Sequence, residues 1–245
     1  MLLRFHEIAE QNHKIINPFT EEKLMLLGEI CQLTPATHQL DLCCGKAEML
    51  CRWSERWGIS GTGIDISHVF LEAAKVRANE LGVAERLTLI EGDAGAYSDD
   101  IQYDVVSCIG ATWIGNGLVG TIDLMNKQVK ADGLLLVGEP YWITTPPDAA
   151  YKAMGVSQDD FVSLPNTLER IESTGYELVE MVLANQDSWD RYEAQHWIAI
   201  NNWLREHADD PNAEALRQWN ADNKRSYLQY GRQYLGWGVF VLKKR

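Results

Sequence analysis

The chain has 245 residues, 46% of them hydrophobic and 23% charged, the composition of an ordinary soluble globule forming one large α/β domain or two small ones. Its 35 acidic residues against 22 basic ones give a formal net charge of -13, which argues against nucleic acid or an anionic membrane surface as the main partner, since both call for a basic face. No run approaches the roughly 20 apolar residues that span a bilayer, and Met1 to Glu10 lacks a signal-peptide core, so the expected location is the cytoplasm.

Residues 1–19 carry little pattern beyond His6, His13 and the turn signal Asn17-Pro18. Thr20 is a candidate N-cap for a helix in which Leu24, Leu27, Ile30 and Cys31 recur at helical spacing, ending before Pro35. A first strand is expected over 38–43 and a helix over 47–57, closed by Gly58. A second strand, 59–65, is followed by a helix over 68–81 that Ser67 can cap. Strands follow over 87–91 and 103–109, then a helix over 118–130, then a fifth strand over 134–139. Beyond Pro140 the rhythm breaks into a loop that reaches Ser163. A helix to Ser173, a strand over 176–184, and two long helical patterns over 188–208 and 212–233 come next, before a last strand over 236–242.

Short apolar strands alternating with helices imply a parallel sheet covered on both faces. Four chemically distinctive stretches fall at the ends of successive strands: Asp41 with Gly45, then Asp65, then Gly92-Asp93-Ala94, then Cys108-Ile109-Gly110. In an open α/β sheet such ends converge on one crevice. The stretch Gln39-Leu40-Asp41-Leu42-Cys43-Cys44-Gly45-Lys46-Ala47 reads as strand, tight turn and helix N-terminus, a place where backbone N–H groups and the helix dipole meet a ligand.

This stretch resembles the first motif of class I S-adenosylmethionine (SAM)-dependent methyltransferases, with Cys43 and Ala47 where that family usually has glycine. Positive φ does not come freely to cysteine or alanine. The resemblance spans about residues 20–140 and the last strand. It implies a doubly wound, seven-stranded, mostly parallel sheet of order 3-2-1-4-5-7-6, with strand 7 antiparallel and a helical cover. It implies SAM as cofactor, with Asp65 on the ribose hydroxyls, Asp93 on the adenine amino group and carbonyls near Gly110 on the methionine ammonium. The implied cofactor-contacting set is Asp41, Cys43, Gly45, Asp65, Ile66, Asp93, Ala94, Cys108 and Gly110. Residues 1–245 then form one methyltransferase domain, with an N-terminal cap over 1–19 and a helical insertion over 188–233.

The function so implied is methyl transfer from SAM to a small-molecule acceptor of unidentified kind. A nicotinamide-dependent Rossmann-type reductase is the alternative enzyme, and a non-catalytic SAM-binding regulator the alternative outside enzymes. Gly61-Thr62-Gly63 does not favour the reductase, because it lies inside a strand and Ile66 stands where a third glycine would fall. An odd set of five cysteines without a Cys-x-x-Cys pair points to neither a disulfide framework nor a zinc ribbon, and no metal is expected. Candidates for a general base are Glu139, His13 and His196. Trp189, Tyr192, His196, Ile200 and Trp203 recur at three- and four-residue steps on one helix, and Tyr192 and His196 carry the polar tips expected to touch an acceptor.

Overall fold

The computed structural model describes residues 1–245. Seven strands form one sheet: β1 (His38–Leu42), β2 (Ser60–Asp65), β3 (Leu87–Glu91), β4 (Tyr103–Ile109), β5 (Val129–Trp142), β6 (Tyr176–Leu183) and β7 (Leu235–Lys244). Their order is β3-β2-β1-β4-β5-β7-β6, and β7 runs antiparallel to both neighbours, as the resemblance implied. The helices are α1 (Leu2–Ala9), α2 (Glu21–Ile30), α3 (Glu48–Trp57), α4 (His68–Glu80), α5 (Leu118–Asn126), α6 (Asp148–Met154), α7 (Leu164–Ser173), α8 (Gln186–Glu206) and α9 (Ala213–Ser226).

The sheet is buried on both faces because its strands place apolar residues on alternate sides. Leu40, Leu42, Leu135, Val137, Phe240 and Leu242 pack toward Ile122 and Met125 of α5 and Ile171 of α7. Val105, Leu136, Val239 and Val241 face the other way, toward Leu24 and Leu27 of α2 and Met49 and Trp53 of α3. The Trp53 indole is fully buried and donates to the Leu24 carbonyl at 3.0 Å, so its one polar atom is satisfied. Gly61 and Gly63 open the surface of β2 to α3: a Cβ on either would come within 2.6 or 2.9 Å of a Leu50 methyl. The glycines inside that strand are therefore a packing feature.

Several elements differ from the sequence expectation, among them α6, which lies within the stretch expected as a loop. Residues 2–9 form a helix whose Phe5, Ile8 and Ala9 pack on Ile200, Leu204, Ala213 and Leu216 of α8 and α9. The helix expected over 118–130 stops at Asn126, because Val129 already pairs with Tyr103 before the strand shifts register. β5 continues past Pro140 to Trp142 alongside β7; on its other side β4 ends opposite Gly138, and the strand is next met by the bridge of Trp142 to Ser163. A missing N–H is tolerated at Pro140, which lies in the gap between those two neighbours. Of the second long helical pattern, α9 accounts for the part to Ser226, and a π-helical turn over Tyr227–Gly231 follows.

Candidate active site

The turn after β1 sets the floor of the site. Cys43, Gly45 and Ala47 all adopt left-handed backbone, with φ of 59°, 55° and 51°. Glycine takes that conformation readily, whereas for the other two it costs about 1–2 kcal/mol each. The surroundings hold it in place. The Cys44 N–H donates to the Ile64 carbonyl at 2.9 Å and the Ala47 N–H to the Cys44 carbonyl at 2.8 Å. The chain thus keeps the path of a glycine-rich loop with cysteine and alanine in two glycine positions.

Asp65, at the end of β2, is buried and accepts the Gly45 N–H on one oxygen and the Ser67 N–H on the other, each at 2.8 Å. A carboxylate has about four acceptor sites, so two remain for a ligand. Asp41 is buried beside it and accepts from the Ser107 hydroxyl at 2.6 Å, while Ser107 accepts from Gln39 Nε2 at 2.9 Å. Burial pushes the Asp41 carboxyl up to about 7, the Ser107 hydrogen bond pulls the other way, and Asp65 adds to the rise. Asp93 is exposed; one of its oxygens accepts the Gly95 N–H at 2.9 Å.

Above these strand ends lies a cavity of about 730 Å³. Its wall includes Asp41, Cys43, Gly45, Asp65, Ile66, Asp93, Ala94 and Gly110. Cys108 is not on it: that side chain is fully buried in the core, and hydrogen bonding with Cys43 together with burial pushes its thiol well up. Glu139 is also off the wall. Its side chain is 1% exposed, and burial pushes it up to about 7 against a hydrogen bond from Thr112. It follows Leu135 and Val137 on the α5–α7 side of β5, beneath the floor.

The roof comes from both ends of the chain. Ile15, Ile16, Asn17 and Phe19 enter from the N-terminal segment, and Trp189, Tyr192 and Glu193 from α8. Ile16 lies over Gly45, where a Cβ would approach its Cδ1 to 2.8 Å, and the Asn17 side chain lies as close over Gly110. Lys46 fastens this roof: its ammonium donates to the main-chain carbonyls of Glu10, Gln11 and His13 at 2.7, 3.1 and 2.7 Å. Burial lowers the Lys46 pKa, with Glu10 opposing. The aromatic stripe on α8 divides accordingly. Trp189 and Tyr192 reach the cavity, Ile200 belongs to the α1–α9 cluster, and Trp203 packs against that cluster.

His13 and His196, two of the expected bases, do not reach the cavity wall. They converge instead on Glu10, whose side chain is fully buried. Tyr192 lines the wall, but its hydroxyl donates to Glu10. Burial lowers the basicity of His196, yet its hydrogen bonds to Glu10 and Glu193 prevail and raise it to about 9. Sequence reasoning missed Lys46, Glu10, Asn17 and Ser107. Only Lys46 carried a local signal, as a lysine inside the nucleotide-type turn.

Sheet order, the turn after β1 and acidic groups at successive strand ends together define a Rossmann-like methyltransferase. Residues 40–133 match the methyltransferase-domain family. The uncharacterized protein YjhP of Escherichia coli strain K12 is 45% identical over 245 residues, covering 99% of this chain and 98% of that one. A SAM-dependent methyltransferase from Geobacter sulfurreducens, solved in complex with S-adenosyl-L-homocysteine, is 47% identical with a TM-score of 0.95, covering 99% of this chain and 98% of that one. One from Thiobacillus denitrificans, also in complex with S-adenosyl-L-homocysteine, is 45% identical with a TM-score of 0.94 and the same coverage. The chain belongs to the SAM-dependent methyltransferase family, as an enzyme with SAM for its cofactor.

Proposed function

We propose that the cavity holds SAM along the ends of β1, β2 and β3 and a small, largely apolar acceptor under Phe19, Trp189, Tyr192 and Trp237. The observation that carries this reading is the division of the wall. Asp41, Asp65 and Asp93 follow β1, β2 and β3 on one side of the sheet order, whereas Trp237 stands on β7 toward the other side, and Phe19, Trp189 and Tyr192 come from the roof. SAM carries a sulfonium and an ammonium, so the acidic end suits it. In this placement the free acceptor sites of Asp65 take the ribose hydroxyls, and Asp93 takes the adenine amino group. Ile66 and Ala94 flank the base. The methionine end runs over Cys43, Gly45 and Gly110 toward Asp41. A volume near 730 Å³ is within the roughly 300–1,000 Å³ of ligand pockets and accommodates both reactants.

The reaction is an in-line displacement. A lone pair of the acceptor attacks the methyl carbon while the carbon–sulfur bond breaks, and the electron pair stays on sulfur in S-adenosylhomocysteine. Rate comes mainly from holding the nucleophile about 3–3.5 Å from that carbon with water excluded. The role of the roof residues is that exclusion. With His13, His196 and Glu139 off the wall, the side chains on it that could take a proton include His6, Asp41 and Glu193, and an acceptor such as a neutral amine or a thiolate attacks without needing one.

The test is to incubate the protein with methyl-labelled SAM and pooled small metabolites, and to identify labelled products by mass spectrometry. Labelled product of low mass supports the reading. Label appearing only in added nucleic acid or protein would overturn the acceptor class. Absence of SAM binding by titration calorimetry would overturn the cofactor placement as well.

A further inference from the structure

We propose that Glu10, His13 and His196 form a binding site for a zinc-class divalent cation that joins the N-terminal cap to α8. The site is separate from the methyl-transfer chemistry and does not depend on it. One ligand atom from each residue lies within 4.8 Å of those of the other two. Glu10 and His13 have side chains 0% and 5% exposed, and that of His196 is 17% exposed. Two imidazoles and one carboxylate are a donor set suited to Zn²⁺ and its neighbours, with a fourth position left for water.

Hydrogen bonding within the cluster points to a cation. His13 Nε2 meets the main-chain carbonyl of Tyr192 at 3.2 Å, and a carbonyl only accepts, so Nε2 is the donor nitrogen. The other nitrogen, Nδ1, lies 2.9 Å from Glu10 Oε2 but out of line for a hydrogen bond. Both atoms are buried and neither has a hydrogen-bond partner. A proton on His196 serves Glu10 Oε1, at 2.9 Å, and leaves this pair unserved. A metal ion beside the pair takes a lone pair from each. The far side of the His13 ring is also arranged as in a metal-binding histidine. His13 is oriented by a backbone carbonyl and His196 has the Glu193 carboxylate 3.8 Å from its Nδ1. Glu10 itself is held by the Tyr192 hydroxyl. Two ligands come from the cap and one from α8, 186 positions beyond Glu10, so a bound ion ties the roof of the cavity together.

The experiment is titration of the chelator-stripped, dialysed full chain with ZnCl₂ by calorimetry, together with the absorption spectrum of the Co²⁺ form. The expected result is one ion per chain, bound more tightly than about 1 μM. Cobalt should show a nitrogen- and oxygen-ligated spectrum with no thiolate charge-transfer band. Glu10→Gln and His196→Gln should each weaken Zn²⁺ by at least about 100-fold, the upper end for losing even an outer-shell partner. Glu10→Gln alters a fully buried group, so its result counts when circular dichroism is native; His196→Gln, nearer the surface, serves if it is not. Absence of stoichiometric binding by the folded wild type would overturn the proposal. So would wild-type affinity in a folded variant, or a thiolate band, which would move the ion to Cys43 and Cys44.

Discussion

Lys46→Met tests whether one ammonium holds the roof closed. The lysine stands in the turn that forms the cavity floor, and all three of its N–H groups go to cap carbonyls, two at 2.7 Å and one at 3.1 Å. Hydrogen bonds involving a charged group contribute roughly 1.5–3 kcal/mol each when measured singly. Three that share one ammonium do not add, and the group loses hydration on burial, so about 2–4 kcal/mol is expected for the set. Methionine keeps much of the apolar stem and removes the donors. The carbonyl of Glu10 keeps its bond from the His13 N–H at 2.9 Å, so the local turn survives while its anchor is lost. If that energy opposes cap opening, amides of residues 10–17 should exchange about 30- to 1,000-fold faster, at tenfold per 1.36 kcal/mol. Hydrogen exchange followed by mass spectrometry reads this directly, with metal removed by chelator. S-adenosylhomocysteine affinity should fall along with it, because Ile16, Asn17 and Phe19 belong to the cavity wall. Unchanged exchange over 10–17 in a folded variant would refute the reasoning and assign cap closure to the packing of α1 on α8 and α9.

Asp65→Ala should weaken SAM by about 1.5–3 kcal/mol and also cost about 2–6 kcal/mol of stability, since it orphans two buried N–H groups at about 1–3 kcal/mol each; calorimetry and urea unfolding separate the two, and unchanged affinity in folded protein would remove the ribose assignment. Ala47→Gly trades about 1–2 kcal/mol of left-handed strain against about 0.8 kcal/mol for one buried methyl, so stability should hold or rise slightly; a loss above about 1 kcal/mol in urea unfolding would contradict the strain argument. Asp41, raised to about 7 in the folded state, contributes stability that is full below its unfolded value and lost as pH rises through about 7. Wild-type stability relative to Asp41→Asn should therefore decline from about pH 4 to 7, by at most about 4 kcal/mol, and a constant difference across that range would refute the shift.

The sheet was legible in the sequence because each strand is a short apolar run ending in a chemically distinct residue. Asp41, Asp65 and Asp93 could be placed at one crevice from strand ends alone, since parallel strands bring those ends together whatever the loops do. β5 outruns the expected 134–139 because Pro140 signals an end locally, whereas the strand goes on paired with β7. The positive φ of Cys43 and Ala47 was likewise hidden: residue type predicts against it, and the hydrogen bonds around it come from β2 at Cys44 and Gly45 and from within the turn at Ala47.

The roof was the least legible part, for a reason that also bears on how it works. Lys46 recognises main-chain carbonyls, which every residue has, so its partners leave no trace in the side chains of residues 10–13. Glu10, His13 and His196 meet only because α1 packs on α8 and α9. Helical spacing puts Tyr192 and His196 together, and they do share a partner, but that partner is Glu10, and only Tyr192 is on the cavity wall. A single turn of α8 thus has two neighbours. Tyr192 lines the cavity, and the polar tips of Tyr192 and His196 fasten the cap behind it. Closure of the cavity and order of the cap are consequently one event: whatever loosens Glu10 from α8 also shifts the wall that an acceptor would meet.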